Sequence, residues 1–136
     1  MQTSSNSSLA PGSKVVLGFS GGLDTSYCVK YLTEEKGYEV HSVIVNTGGF
    51  SAEELAQVEA HAYKLGVKSH KTVNAIKSYY DSIIRFLIYG NVLKNNTYPL
   101  SVSAERLSQA LHIADHAYKA EHTDSRTKPG YGNNRF

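Results

Sequence analysis

Apolar positions along this 136-residue chain switch between two spacings. Val15 to Phe19 is a nearly continuous apolar run, which suits a strand covered on both faces, as in a parallel sheet. Thr25 to Lys36 then reads as a helix with Cys28, Val29 and Leu32 on one side, stopped by Gly37. "YEVHSVIVN" returns to strand character from about Glu39 to Asn46. Ser51 to Leu65 predicts a second helix. Ser51 and Glu54 have capping-box spacing, Leu55, Val58, Ala62 and Leu65 share a face, and Gly66 ends it. "VKSHKTVN" is a short third strand, and Tyr79 to Ile88 a helix carrying Ile83, Ile84, Leu87 and Ile88. Gly90 to Pro99 reads as a loop. A long helix is expected from about Ser103 to Lys119, with Leu107, Ala110, Leu111 and Ala114 facing inward.

The order β-α-β-α-β-α-α predicts an α/β fold: an open parallel sheet with helices on both faces, Rossmann-like, with right-handed crossovers. There is no internal repeat. Ligands of such sheets sit beyond the carboxyl ends of the strands, near a switch in strand order. Those ends here carry "SGGLDTS" and "NTGGF".

Composition narrows the setting without naming a chemistry. The length suits one domain, and 40% hydrophobic with 19% charged content is that of an ordinary globular protein. A formal charge of +2 argues for no nucleic-acid and no membrane partner. Cys28 is the only cysteine, so no internal disulfide forms; a reducing cytoplasmic location and a core-filling role for Cys28 are expected. The start "MQTSSNSSLAPGS" has neither the basic nor the apolar segment of a signal peptide, and disorder is expected up to about Ser13. The sequons at Asn6 and Asn95 carry little weight without an export signal.

The glycine loop is more specific. Glycines between strand and helix let backbone N–H groups approach an anion, and the helix points its positive end at the same place. Ser20, Thr25 and Ser26 add hydroxyl donors. A Walker loop is excluded, because no lysine lies between Gly18 and Ser26, and the dinucleotide fingerprint fails on the glycine spacing. A plain glycine turn needs neither these hydroxyls nor Asp24.

"SGGLDTS" resembles the pyrophosphate-binding loop of the N-type ATP pyrophosphatases (the PP-loop, or adenine-nucleotide alpha-hydrolase-like, group), of pattern S-G-G-x-D-[ST]-S. These enzymes split ATP between its α- and β-phosphates, and the loop cradles the pyrophosphate end without a lysine. The Leu-Asp-Thr-Ser version is that of the argininosuccinate synthase family. Resemblance to that family continues through "KVVLGFSGGLDTS", "GYEVHSVIVNTGGF", "AYKLGV" and "GNVLKNNTYPLSVSAER", over roughly Lys14 to Tyr118.

The resemblance implies a ligase. Citrulline's ureido oxygen attacks the α-phosphate of ATP, pyrophosphate leaves, and the amine of aspartate then displaces AMP to give argininosuccinate, a step of arginine biosynthesis. By resemblance ATP lies on Gly18, Phe19, Ser20, Gly21, Gly22, Leu23, Asp24, Thr25, Ser26 and Val45, with magnesium as counter-ion; the family usually has alanine at the position of Val45. Tyr98, Ser103 and Arg106 match the residues that grip citrulline. The family is homo-oligomeric.

The end of the chain departs from the family pattern. "GYGNNRF" echoes a family loop, Gly-x-Gly-Asn-Asp followed by Arg-Phe, with Asn134 in place of the aspartate and Pro129 in the strand before it. No role is assigned to Asn133 or Asn134. The expected division is a disordered tail over 1–13, a nucleotide-binding domain over 14–120 and a divergent or truncated tail over 121–136, with the synthetase domain and assembly helix absent. His112 and His116 lack the glutamate of a zinc-protease helix and read as a solvated face; Tyr79 and Tyr80 read as packing residues. No metal site is expected. The alternatives are another PP-loop ATP pyrophosphatase, or a non-catalytic nucleotide-binding module.

Overall fold

The structure is a computed structural model. It describes residues 9–91, 93–94, 98–99 and 101–124, with side chains over 9–91 and 104–121. Three strands, β1 (Lys14–Gly18), β2 (Glu39–Asn46) and β3 (Ser69–Asn74), form a parallel sheet in the order β1-β2-β3. Lys14 pairs with Glu39 and Gly18 with Val43, while His41 pairs with Ser69 and Asn46 with Asn74. The run "VHSVIVN" is central and covered on both faces, so Val40, Ser42, Val43, Ile44, Val45 and Asn46 are all buried.

Alternate residues of these strands feed two cores. On one face, α1 (Leu23–Lys30) and α2 (Ala52–Leu65) bring Val29 and Ala62 against Phe19, Val40 and Val67. On the other face, Ile113 of the last helix packs with Val16, Val43, Val45, Val73 and Ala75. Helices therefore lie on both faces, as the element order predicts. The chain changes face after β3. It runs through a helical stretch, α3, made of Ile76–Tyr79, a widened π-helical turn Tyr80–Ile84, and Arg85–Tyr89. It then passes two short antiparallel strands, β4 (Leu93–Lys94) and β5 (Tyr98–Pro99), and enters α4 (Ser101–Asp124).

Local sequence explains the boundaries. Ser51 Oγ accepts from the Glu54 N–H at 3.2 Å while Glu54 Oε2 accepts from the Ser51 N–H at 2.8 Å, so α2 starts in a complete capping box. Gly66 ends it in the left-handed region. α1 begins at Leu23, ahead of the expected Thr25, and finishes in a π-helical turn over Tyr31–Glu35. Within that turn Thr33 Oγ1 donates to the Val29 carbonyl at 2.8 Å.

Several expectations are corrected. Leu9 to Ser13 is tied down rather than loose: the Gly12 N–H donates to the Gly37 carbonyl at 2.8 Å, the Glu39 N–H to the Ser13 carbonyl at 2.9 Å, and the Tyr38 hydroxyl to the Leu9 carbonyl at 3.2 Å. Residues 1–8 lie outside the described part, as do 125–136 with Pro129, Asn133 and Asn134. The expected loop at Gly90–Pro99 contains the β4–β5 pair. Cys28 is exposed, because Val29, its neighbour, takes the inward position. In α4, Leu107 and Leu111 are exposed, and the inward face is instead Ser108 and Ile113. His112 and His116 are half-buried rather than solvated. Tyr79 is buried, but Tyr80 is 49% exposed.

Candidate functional site

The glycine loop closes the carboxyl end of β1. Phe19 continues the strand by one hydrogen bond, its N–H donating to the Val43 carbonyl at 2.8 Å. Its buried ring anchors the loop in the core. Gly21 then turns the backbone at φ +81°, a region unfavourable to side chains, and a methyl there would lie 3.0 Å from Cγ2 of Val58. Gly18 allows the other close approach: a methyl on it would meet Cδ1 of Ile113 at 2.7 Å.

Gly22 is the residue before α1, and it has no side chain with which to cap the helix. Both Thr25 Oγ1 and Ser26 Oγ turn back to its carbonyl, at 3.2 and 2.8 Å, and Ser20 Oγ lies 3.5 Å from Thr25 Oγ1. The first N–H groups of α1 have no intrahelical acceptor and no side-chain cap, in contrast to α2. Such an end is suited to an anion. Asp24 stands in the same first turn and is exposed.

A cavity of about 300 Å³ opens beside the loop, lined by Gly18, Ser20, Thr25, Val45, Phe50 and Gln109 among others. Val45, expected against a nucleotide, is therefore a wall of this space. α4 forms the opposite side. Ile113 touches the Gly18 position, and Gln109 lines the cavity one turn nearer the start of the helix. Arg106 shares that side of α4 by helical spacing, about 10 Å from Ile113 along the axis, and is exposed, outside the residues that line the cavity. The backbone of Tyr98 lies in β5 and that of Ser103 in the first turn of α4; their side chains lie outside the described part.

Sequence reasoning missed three residues here. Glu105 accepts a short hydrogen bond from Thr47 Oγ1 and one from Gln109 Nε2 at 3.4 Å, so it ties the "NTGGF" loop to α4. Gln109 is the second. The third is His61, whose Nε2 lies 3.0 Å from Ser26 Oγ and whose ring stacks on Phe19 with centroids 6.0 Å apart. His61 shares a helical face with Val58, Ala62 and Leu65, and a polar residue on an apolar stripe was the available signal.

The family model of the "Arginosuccinate synthase N-terminal HUP domain" matches residues 14–136. The chain belongs to this family. Relatives in the argininosuccinate synthase family are similar in sequence. The argininosuccinate synthase of Xylella fastidiosa is 44% identical over 89 residues, which are 65% of this chain and 22% of the relative. That of Hyperthermus butylicus is 42% identical over 106 residues, 78% of this chain and 26% of the relative. That of Staphylococcus haemolyticus is 38% identical over 112 residues, 82% of this chain and 26% of the relative. The chain thus spans about a quarter of the length of these proteins. A solved NAD+ synthetase from Burkholderia pseudomallei overlaps 83% of this chain and 48% of its own, at 16% identity and a TM-score of 0.42.

The HUP domain match extends past residue 120, where the nucleotide-binding domain was expected to end. Among the described residues no helix is long and apolar enough to cross a membrane, and no group of three or more His, Cys, Asp and Glu side chains is placed to hold a metal ion.

Proposed function

We propose that this HUP domain binds ATP on Gly18 to Ser26 and serves the argininosuccinate synthase reaction, the ligation of citrulline to aspartate in arginine biosynthesis. One observation carries the reading: "SGGLDTS" sits at the carboxyl end of β1, where its glycines expose the uncapped start of α1. Membership of the family supports the choice of reaction.

Each residue then has a physical task. The N–H groups at the start of α1 and the hydroxyls of Ser20, Thr25 and Ser26 receive the phosphates. Val45 and Phe50 wall the nucleotide, and the guanidinium of the exposed Arg106 suits the carboxylate of citrulline. Asp24 is a carboxylate inside a phosphate cradle, and the repulsion is relieved by a cation between the two. Magnesium, which favours one or two carboxylates with phosphate and water, fits that donor set and supplies charge neutralisation at the phosphates. On this reading the protein works in the cytoplasm and, as the family resemblance implies, as a homo-oligomer.

The affinity expected of the domain alone is modest. A few charge-assisted bonds at ~1.5–3 kcal/mol each, less ordering costs, leave about −4 to −6 kcal/mol, or roughly millimolar to tens of micromolar. Titrating ATP against the chain while recording amide NMR shifts tests this. The amides of Ser20 to Ser26 move with saturation; silence there at several times the expected dissociation constant overturns the reading.

A further inference from the structure

The hydrogen bonds at Gly22 are oversubscribed. Its carbonyl accepts from the Ser26 N–H at 3.0 Å, from Ser26 Oγ at 2.8 Å and from Thr25 Oγ1 at 3.2 Å. A carbonyl oxygen has two lone pairs, so one hydroxyl can leave at small cost. A serine hydroxyl has one proton, and that of Ser26 is spent on Gly22. Its oxygen therefore accepts from His61 Nε2–H across the 3.0 Å contact. The Phe19 ring beneath fixes the imidazole plane.

When Ser26 swings its proton toward an anion, His61 remains its donor from behind. The loop from Gly18 to Ser26 has no lysine or arginine, so a protonated His61 brings positive charge to it through Ser26. We propose that His61 is a positioning residue of the glycine loop: it holds Ser26 Oγ as a donor toward bound phosphate, and phosphate binding takes up a proton at the His61 ring. This rests on the ATP reading above.

The groups around the ring allow it to respond. α2 places Glu54 and Gln57 on the same open cleft as His61, a space of about 310 Å³ that reaches Gly21 and Phe50. The Ser51 backbone N–H holds the Glu54 carboxyl below its usual range, so its charge is constant through the neutral region. From α1 come Ser26 and, in the first turn, the carboxylate of Asp24. From β3, His70 meets the Phe19 ring edge-on, and burial disfavours its charged form. Phe19, which follows β1, is neutral.

ATP affinity measured from about pH 5.5 to 8 in wild type and in His61→Gln isolates the effect, because glutamine keeps an uncharged donor and the titration of ATP itself cancels. Wild-type binding tightens toward low pH about five- to tenfold more than that of the variant. In wild type alone, the His61 ring protons, followed by NMR, protonate at higher pH with ATP than without; Ser26→Ala abolishes that movement. Parallel pH curves with an unmoved His61 ring, while the amides of Ser20 to Ser26 still respond to ATP, overturn the role of His61 and leave the ATP reading standing. If those amides stay still in both proteins, the ATP reading falls and this role falls with it.

Discussion

Gly21 and Ser51 make opposite tests of what a single residue contributes. Gly21→Ala forces a side chain into φ +81° and against Val58, at a cost of about 1–2 kcal/mol from the backbone alone. Urea unfolding should show that loss, and the response of the Ser20 to Ser26 amides to ATP should weaken with it. Ser51→Ala removes a cap worth about 1 kcal/mol but lies outside the loop, so the chain loses stability and keeps its ATP response. An unaltered unfolding midpoint in Ser51→Ala would contradict the capping box. His70 adds a pH term. Its Nδ1 faces Ser42 Oγ at 2.8 Å, and among the described side chains its Nε2 is buried without a hydrogen-bond partner. Burial pushes the imidazole down, with Glu59 opposing. The unfolded chain, with histidine near about 6.5, then binds the proton more readily than the folded one. Stability is fully present above that value and declines as pH falls through the window below it. His116 is pushed down by burial and by the neighbouring charges of Lys71 and His41, and acts in the same direction. Unfolding at about pH 7.5 and 5.5 should give a steeper loss for wild type than for His70→Gln; equal slopes would rule out His70 as a contributor.

The helices show which parts of the structure were readable from sequence. α2 was legible almost to the residue, since both its cap and its stop are written in side chains: Ser51 with Glu54, and Gly66. The start of α1 carries no such signal, because the group expected to satisfy it is a ligand, and its position came from the glycine-loop motif. Strand β2 was legible as a β-branched run, and its bounds agree with the expected Glu39 to Asn46. α4 was placed correctly but turned wrongly. Leu107, Ala110, Leu111 and Ala114 form the more apolar stripe, yet Leu107 and Leu111 are 58% and 61% exposed, while Ser108 is 5% exposed. The surface beneath the helix is mixed: Gly18 of β1 leaves room for Ile113, while Ser78 of α3 meets His112 at 3.2 Å, so apolarity alone does not mark the inward face. Residue pattern alone cannot register that face, since it depends on what the opposing surface offers. Two truncations in α4 separate the faces. Leu111→Ala should change stability by less than about 0.5 kcal/mol, and Ile113→Ala should cost about 2 kcal/mol. Comparable losses in the two variants would mean that the exposed stripe is covered in solution.

At the scale of the whole molecule, binding and turnover separate. The cleft brings the uncapped start of α1 beside the walls at Val45 and Gln109, and on the proposed reading these hold a nucleotide from one side. Adenylation asks for more, because citrulline must lie in line with the α-phosphate at ~3–3.5 Å, and such positioning is worth ~7–11 kcal/mol of the barrier. Of the side chains expected to grip citrulline, Arg106 is exposed and lies outside the residues that line the cavity. This chain spans 22–26% of the synthases of Xylella fastidiosa, Hyperthermus butylicus and Staphylococcus haemolyticus, and contacts made by the rest of their length are not supplied by these residues. If only about 4 kcal/mol of positioning is missing, the rate falls roughly a thousandfold. The purified 136-residue chain should therefore bind ATP and release pyrophosphate, in the presence of citrulline and aspartate, no faster than about a thousandth of a full-length synthase. A coupled pyrophosphate assay decides this, with Asp24→Ala as the control for a contaminating enzyme. Turnover near one per second on the order of ordinary enzymes, lost in that variant, would mean that these residues already hold both substrates in line.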